Sequence, residues 1–551
     1  MDWMNRVLAI VGGLIALFAA VFAGIYFGLG YLEKEGIELV DRPLHYDYVL
    51  KNGTIVDGTG KKSYQADIGI KKGKIAFIGI IQPPAKVKVI DASGLLILPG
   101  FVDLHSRLDG TLDGPDAFDG LIKQGITTIL SGYGEIAQDD VTLHLKQASK
   151  SGLPVNYALL AGHQGLFKLL KAEENTDAVM AEEPPLEFGQ IPPPPPPVTE
   201  KPKPAVEDLV LELQTSLEQG AFGLSIDFDD ELGRQLTFDE IRQLAKALEE
   251  RGAILSLTLP ATSADPAVLL KRVIDLHRET KVRILMAPWG YLGNAPDARI
   301  ADMEQDLQAG YLSSRNIYTT LYPSNRQPAG VRQTLQRAVA LYPPEMIEIA
   351  EAGGQNSPTV VGKTLQEIAQ ERGIAPAEAA RQMSSAGLVR IILRTTTLER
   401  IDRLAGAPFV ALTVDSGMGS AAQYSPDALK EFLGRTVRDQ NKISWEEAAL
   451  KLSGRPSALL GIEDRGTVEK GKWADLVLID PKLLPPSTEK KNGIRYVFVN
   501  GALAFSKGKI LQEGQGKGQL LRFKSKPLMP EPAPAKAPPV PGPTEEEEEE
   551  E

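Results

Sequence analysis

Short runs of alternating apolar and polar residues lead into the body of the chain, and longer runs with a helical period follow. Strand-like segments at 46–50, 54–56, 66–70, 74–78 and 87–90 are separated by Asn-Gly, Asp-Gly and Lys-Gly pairs, the turn chemistry of tight β connections. The same texture returns after residue 465, at 476–479, 496–499 and 502–505. Between these two sets the period changes. Apolar positions from Phe238 to Arg251 recur at helical spacing, and the run 253–259 after them is apolar enough for a buried strand. Such helix–strand alternation predicts a parallel βα barrel. The stretch available to it exceeds the roughly 250 residues of an ordinary barrel, so insertions are expected.

Three segments break the pattern. Val7 opens, and Leu32 closes, a run of 26 positions without a charge. That run is longer than the roughly 20 residues that cross a bilayer as a helix, and longer than the apolar part of a signal peptide, so a single transmembrane anchor is expected over 1–33 with a linker at 34–45. Gly12, Ala16, Ala20, Gly24 and Gly28 recur every fourth residue along it, a small-residue stripe suited to helix–helix self-association. Flanking Lys and Arg give only a slight bias toward an extracytoplasmic main domain. The second segment, 172–205, holds six consecutive prolines that open at Pro192 and close at Pro197, a composition for extended chain over the barrel mouth and for a proline-reading protein partner. The third, 523–551, is proline-rich and then polyacidic, the composition of a disordered tail.

Charge narrows the partners. The net charge is −12, but the seven glutamates at 545–551 carry more than half of it, and no basic stripe offers itself to nucleic acid. The chain has no cysteine, which removes disulfides and thiolate metal ligands together.

Candidate chemistry begins at 99–107, Pro-Gly-Phe-Val-Asp-Leu-His-Ser-Arg. In a strand, residues i and i+2 point the same way, so a His-x-His pair there would aim two imidazoles at one ion. Here His105 is followed by Arg107. This segment resembles the first-strand motif of the amidohydrolase superfamily. Residues 46–58, the run Gly-Ile-Thr-Thr at 125–128, Gly-Ala-Phe-Gly-Leu-Ser at 220–225, the segment 465–480 and the closing 516–522 resemble its D-aminoacylase branch, the N-acyl-D-amino-acid deacylases.

The resemblance implies a (β/α)8 barrel over 99–464 and a small β-sandwich assembled from 46–98 and 465–522. It also implies a metal held by two first-strand histidines, a cysteine after the second strand and histidines ending the fifth and sixth, with an aspartate on the last strand moving protons. Carried onto this chain, those positions fall on His105, Arg107, Gly134, Leu257 and Met286, with Asp415 as the aspartate. Of the remaining histidines, His144 and His277 fall on helices, where a solvated or capping role is expected.

The expectation is therefore an amidohydrolase relative with no metal cofactor, in which Arg107 replaces the ion's positive charge and pairs with Asp415 beside His105. Such a barrel would serve as a non-catalytic binding or assembly module. The alternative is an active zinc hydrolase of non-peptide C–N amide bonds, with a relocated mononuclear site on His105, Glu135, His163 and Asp227, for which Asp229, Asp230 and Asp415 are further candidate ligands, since three protein ligands suffice for catalysis. A third option is binding without chemistry, with Tyr133, Trp289 and Tyr291 lining a pocket and Arg107 holding a carboxylate.

Overall fold

The computed structural model describes residues 45–83, 86–108, 115–133, 140–167, 203–228, 230–259, 266–286, 297–328, 335–356, 358–394, 396–414, 427–485 and 492–524. The expected anchor, nearly all of the proline-rich segment, the acidic tail, Gly134, Glu135, Trp289, Tyr291 and Asp415 lie outside them. Among the described residues no helix is long and apolar enough to cross a membrane.

Strands from both ends of the chain share one nine-stranded sheet. The first five are β1 (Tyr48–Ile55), β2 (Tyr64–Lys71), β3 (Lys74–Gly79), β4 (Lys88–Asp91) and β5 (Leu96–Pro99). After strands β6–β17, given below, come β18 (Leu476–Ile479), β19 (Ile494–Val499), β20 (Ala502–Ser506) and β21 (Lys509–Ile510). The order is β21-β20-β19-β18-β5-β1-β2-β3, with β4 on β1, and the seam between the two ends is the antiparallel pair β5 and β18. Hairpin geometry explains the glycines. Gly73, between β2 and β3, has φ +80°, and an added Cβ would sit 2.7 Å from the Asn500 carbonyl.

The barrel strands are β6 (Phe101–Asp103), β7 (Ile126–Ser131), β8 (Asn156–Leu159), β9 (Ala161–Gly162), β10 (Gly223–Asp227), β11 (Ile254–Thr258), β12 (Arg283–Met286), β13 (Ile317–Leu321) and β17 (Val410–Leu412). β6-β7-β8 pair in parallel, as do β9-β10-β11-β12-β13-β17. Only Leu160 separates β8 from β9, so they fill one strand position and the total is eight. Phe222 N–H donates to Leu159 O at 2.8 Å, joining the two groups on one side. On the other, the Thr413 hydroxyl donates to the Asp103 carboxylate, and lies 3.3 Å from His105 O. Helices return outside, each started by local chemistry: Thr237 and Glu240 form a reciprocal capping box before Phe238–Arg251, and Gly252 ends that helix in the left-handed conformation.

Between β13 and the helix Leu398–Ala405 the chain leaves the barrel to build a second layer. β14 (Gln327–Pro328), β15 (Ile347–Ala352) and β16 (Val389–Leu393) form an antiparallel sheet in the order β14-β16-β15. Helices Leu335–Leu341, Leu365–Arg372 and Pro376–Ala386 cover it, and Ile347, Ile349, Ile368, Met383 and Ile391 form part of a core separate from that of the barrel. This insertion is a finding of the structure; the sequence pattern had merged it into the βα alternation.

Two histidines correct the expectation from helix position. His144 is buried, with Nε2 3.1 Å from the Tyr157 hydroxyl, and is not solvated. His277 is also buried, with Nδ1 2.6 Å from Val282 O and Nε2 2.6 Å from Ser314 Oγ, and burial pushes its pKa below the usual imidazole value. Both sit on the inner face of their helices, where a hydrogen-bonded ring packs as core.

Candidate functional site

The mouth is the rim where strands end and outer helices begin. β6 reaches it through a tight step: a Cβ on Gly100 would lie 2.2 Å from Thr127 Oγ1, so only glycine lets the chain pass from β5 into β6. Asp103 then accepts the Thr413 hydroxyl and the His105 N–H, the latter at 3.2 Å. His105 is buried, its ring edge-on to Tyr133 with centroids 4.2 Å apart. Tyr133 donates its hydroxyl hydrogen to Leu104 O at 2.6 Å, and Ser256 Oγ lies 3.4 Å from that hydroxyl and 3.2 Å from Leu285 O. The His105 backbone is thus held in a hydrogen-bonded interior, and its ring packs against Tyr133. Arg107 is half-buried at the end of the same segment; its expected partner Asp415 falls outside the described residues.

His163 ends the β8/β9 position. Its Nε2 is 2.7 Å from Asp230 Oδ2 and its Nδ1 3.3 Å from Ser225 O, and Gln164 donates to the same Asp230 oxygen. A carboxylate only accepts, so the ring presents Nε2–H to Asp230. Gly233 makes room for this arrangement, because a Cβ there would lie 3.3 Å from His163 Nε2 and 2.0 Å from Asp227 O. Asp227, half-buried at the mouth end of β10, pairs in register with Thr258 of β11. Asp230 was one of the acidic residues after the fourth strand offered to the alternative site; its pairing with His163 was not foreseen. Its signal was weak in sequence, a third acidic residue in a loop 67 positions from the histidine it engages.

Strand alternation decides which residues of β11 and β12 face the interior. Ile254 and Leu285 belong to the inner cluster with Val102, Leu104, Leu130 and Tyr133, and Ser256 reaches the Tyr133 hydroxyl. Leu255, Leu257, Ile284 and Met286 pack instead in the cluster shared with the outer helices, alongside Leu244, Leu248 and Leu270. Leu257 and Met286 therefore lie on the helix side of their strands. The sequence register that put them in the mouth is off by one, and the inward position at the mouth end of β11 is Thr258. Leu257→His is accordingly expected to bury an imidazole among leucines and cost about 2–4 kcal/mol in urea unfolding, whereas Thr258→His should change stability by less than about 1 kcal/mol. Equal costs would overturn the register.

The profile of the amidohydrolase family matches residues 394–505. D-aminoacylase of Alcaligenes xylosoxydans xylosoxydans is 25% identical over 490 residues, covering 86% of this chain and 97% of that protein. The N-acyl-D-aspartate deacylase of the same organism is 25% identical over 484 residues, covering 84% and 93%. By profile and relatives alike, the chain is similar to the amidohydrolase superfamily. Within it, the resemblance is to the D-aminoacylase branch, and solved structures share the fold. An N-acyl-D-glutamate deacylase of Bordetella bronchiseptica, solved with zinc and a phosphonate inhibitor, has a TM-score of 0.67 at 22% identity over 87% of this chain and 100% of that one. A D-aminoacylase crystal structure has a TM-score of 0.67 at 21% identity over the same shares.

Among the described residues no group of three or more His, Cys, Asp or Glu side chains is arranged to hold an ion. The second member of the first-strand pair is a guanidinium, which stays cationic and repels a divalent ion. Thr258 offers one neutral hydroxyl, and the Nε2 of His163 is engaged by Asp230.

Proposed function

We propose that this protein is a membrane-held amidohydrolase relative, with its barrel outside the cytoplasm, whose barrel mouth binds or assembles and does not hydrolyse amides through metal-activated water. The observation that carries this reading is the inner face at the mouth: Arg107, Thr258 and an Asp230-bound His163 stand where a metal centre needs anionic or neutral nitrogen donors. Catalysis by the metal route needs an ion with an open position, a carboxylate to move protons and donors for the tetrahedral oxyanion. Without the first, the other two have nothing to act on. The membrane attachment rests on the uncharged run at 7–32.

The alternative, an active hydrolase with zinc on His105, Glu135, His163 and Asp227, draws on the gathering of His163 and Asp227 around Gly233. Elemental analysis of the full chain, purified with zinc in every buffer and assayed on N-acyl-D-methionine and N-acyl-D-glutamate, separates the two. Sub-stoichiometric metal and no turnover above the protein-free rate are expected. One zinc per chain, with turnover abolished by His105→Ala, would establish the hydrolase instead.

A further inference from the structure

The insertion between β13 and the helix Leu398–Ala405 is fastened by an unusual charge arrangement. Glu348, on β15, has a side chain only 2% exposed. Its Oε1 accepts Arg326 Nη2 at 2.5 Å, while Oε2 accepts Arg394 Nη2 at 2.6 Å, Arg394 Nε at 2.9 Å and Arg326 Nε at 3.3 Å. Arg326 lies just before the insertion's first strand and Arg394 just after its last. One carboxylate thus ties the way out to the way back.

A latch alone does not require this much positive charge. One guanidinium balances one carboxylate; here two converge on it, and their side chains stay 46% and 42% exposed. Both spend the Nε and Nη2 edge on Glu348, and among the described residues neither Nη1 donates to any protein group. Glu348 holds two like charges side by side that would otherwise separate. Glu367 also feels Arg394; among the described residues it forms no ion pair with it, and it already accepts the Thr364 N–H at 2.7 Å and hydroxyl at 2.9 Å. Lys363 nearby is taken up by Glu371 at 2.7 Å, and Arg390 by Glu351 at 3.2 Å.

Position gives the surplus charge a use. Arg326 follows the mouth end of β13, and Arg394 precedes the first turn of Leu398–Ala405, and in a βα barrel strand ends and helix starts share one rim. We propose that Arg326 and Arg394, set in place by buried Glu348, form an oxyanion-binding site on the rim of the mouth that takes the carboxylate of a small organic acid. The free guanidinium edges supply planar, charge-assisted donors, and the ligand supplies the second negative charge that the triad lacks. Nothing in this site depends on a metal, so it stands whether or not the barrel retains chemistry.

The test is titration of the full chain by calorimetry with glutarate, with inorganic phosphate, and with sodium chloride at matched ionic strength. Saturable glutarate binding is expected, with phosphate competing only weakly and chloride giving none. Arg326→Gln and Arg394→Gln should each weaken it at least tenfold. Should either variant fail to fold because Glu348 is left short of partners, Arg326→Lys and Arg394→Lys keep the charge but lose the forked edge, and should weaken binding at least threefold. Arg390→Gln, at an arginine already taken up by Glu351, should leave it within twofold. No saturable binding, binding untouched by both lysine variants, or binding lost in Arg390→Gln would overturn the site. Tighter phosphate than glutarate would overturn the carboxylate assignment.

Discussion

Asp475→Ala is expected to be the most destabilising single change outside the apolar core. Asp475 precedes β18, fully buried, and its carboxylate accepts Arg465 Nη1 at 2.7 Å, Asn156 Nδ2 at 3.0 Å and the Asn500 N–H at 2.6 Å. Burial pushes its pKa above the usual carboxylate range, and the Arg465 guanidinium pulls it back. Its backbone carbonyl accepts Gly100 N–H at 2.7 Å, so the same residue ties the large sheet to the start of β6. Alanine would take the 2.7 Å carboxylate from a guanidinium whose side chain is 1% exposed, leaving it Asp464 at 3.3 Å and the side-chain oxygens of Asn500 and Gln519, and breaking a buried pair from one side costs about 3–5 kcal/mol. Guanidinium unfolding should show that loss, while Asp475→Asn, which keeps the shape and part of the hydrogen bonding, should lose less. An alanine variant within about 1 kcal/mol of the parent would show that water or rearrangement solvates Arg465.

Lys451→Met is expected to act in the opposite direction. The Lys451 side chain is fully buried in a π-helical turn, Leu450–Gly454, where its amine donates to Ala407 O and the Glu447 carboxylate is 3.8 Å away. Burial, aided by repulsion from Arg455, pushes its pKa down from 10.5 to about 7. The sign follows from proton counting. Between pH 7 and the unfolded lysine value, the unfolded chain holds more protons than the folded one, so this group makes stability rise with pH across that window. Below it both states are protonated, and the folded state bears the whole cost of an enclosed ammonium. The gain from pH 6 to pH 9 should be roughly 2–3 kcal/mol. Methionine fills similar volume, and Ala407 O keeps the Val410 N–H at 3.2 Å, so no acceptor is orphaned. The variant should be more stable than the parent, most clearly at pH 6, and its stability should lose this slope. An unchanged slope would mean that the amine is hydrated in solution.

Both residues show how much of this molecule is held by partners that lie far apart in the chain. Asn156 and Asp475 are separated by 319 positions, and neither neighbourhood announces the other. By contrast, the Asn-Gly, Asp-Gly and Lys-Gly turns and the Pro-Gly step before β6 are short-range devices and were legible directly. The first-strand motif was legible for the same reason, together with the replacement of its second histidine by Arg107.

The candidate site was readable only in part. In β11 the run Ile-Leu-Ser-Leu-Thr is buried on both faces except at its last residue, so the sequence carries little polar alternation to fix which leucine points inward. A one-residue shift in such a strand turns every side chain to the opposite face, which is how Leu257 and Met286 came to be placed in the mouth. His163 was recognised as a mouth residue, but its capture by Asp230 required the loop after β10 to fold back.

By itself the sequence determined the strand-rich segments at both chain ends, the βα alternation, the absence of thiolate ligands and the guanidinium after His105. These follow from periodicity, turn residues and composition, which act over a few positions. The resemblance joined the two ends as a small β-sandwich, where the structure has one nine-stranded sheet. Only the tertiary structure decided which face of each barrel strand looks inward, that the His163 ring is taken by a carboxylate, and that Arg326 and Arg394 meet on one buried glutamate. Those outcomes depend on register and loop closure between distant segments, where packing and charge pairing override every local preference.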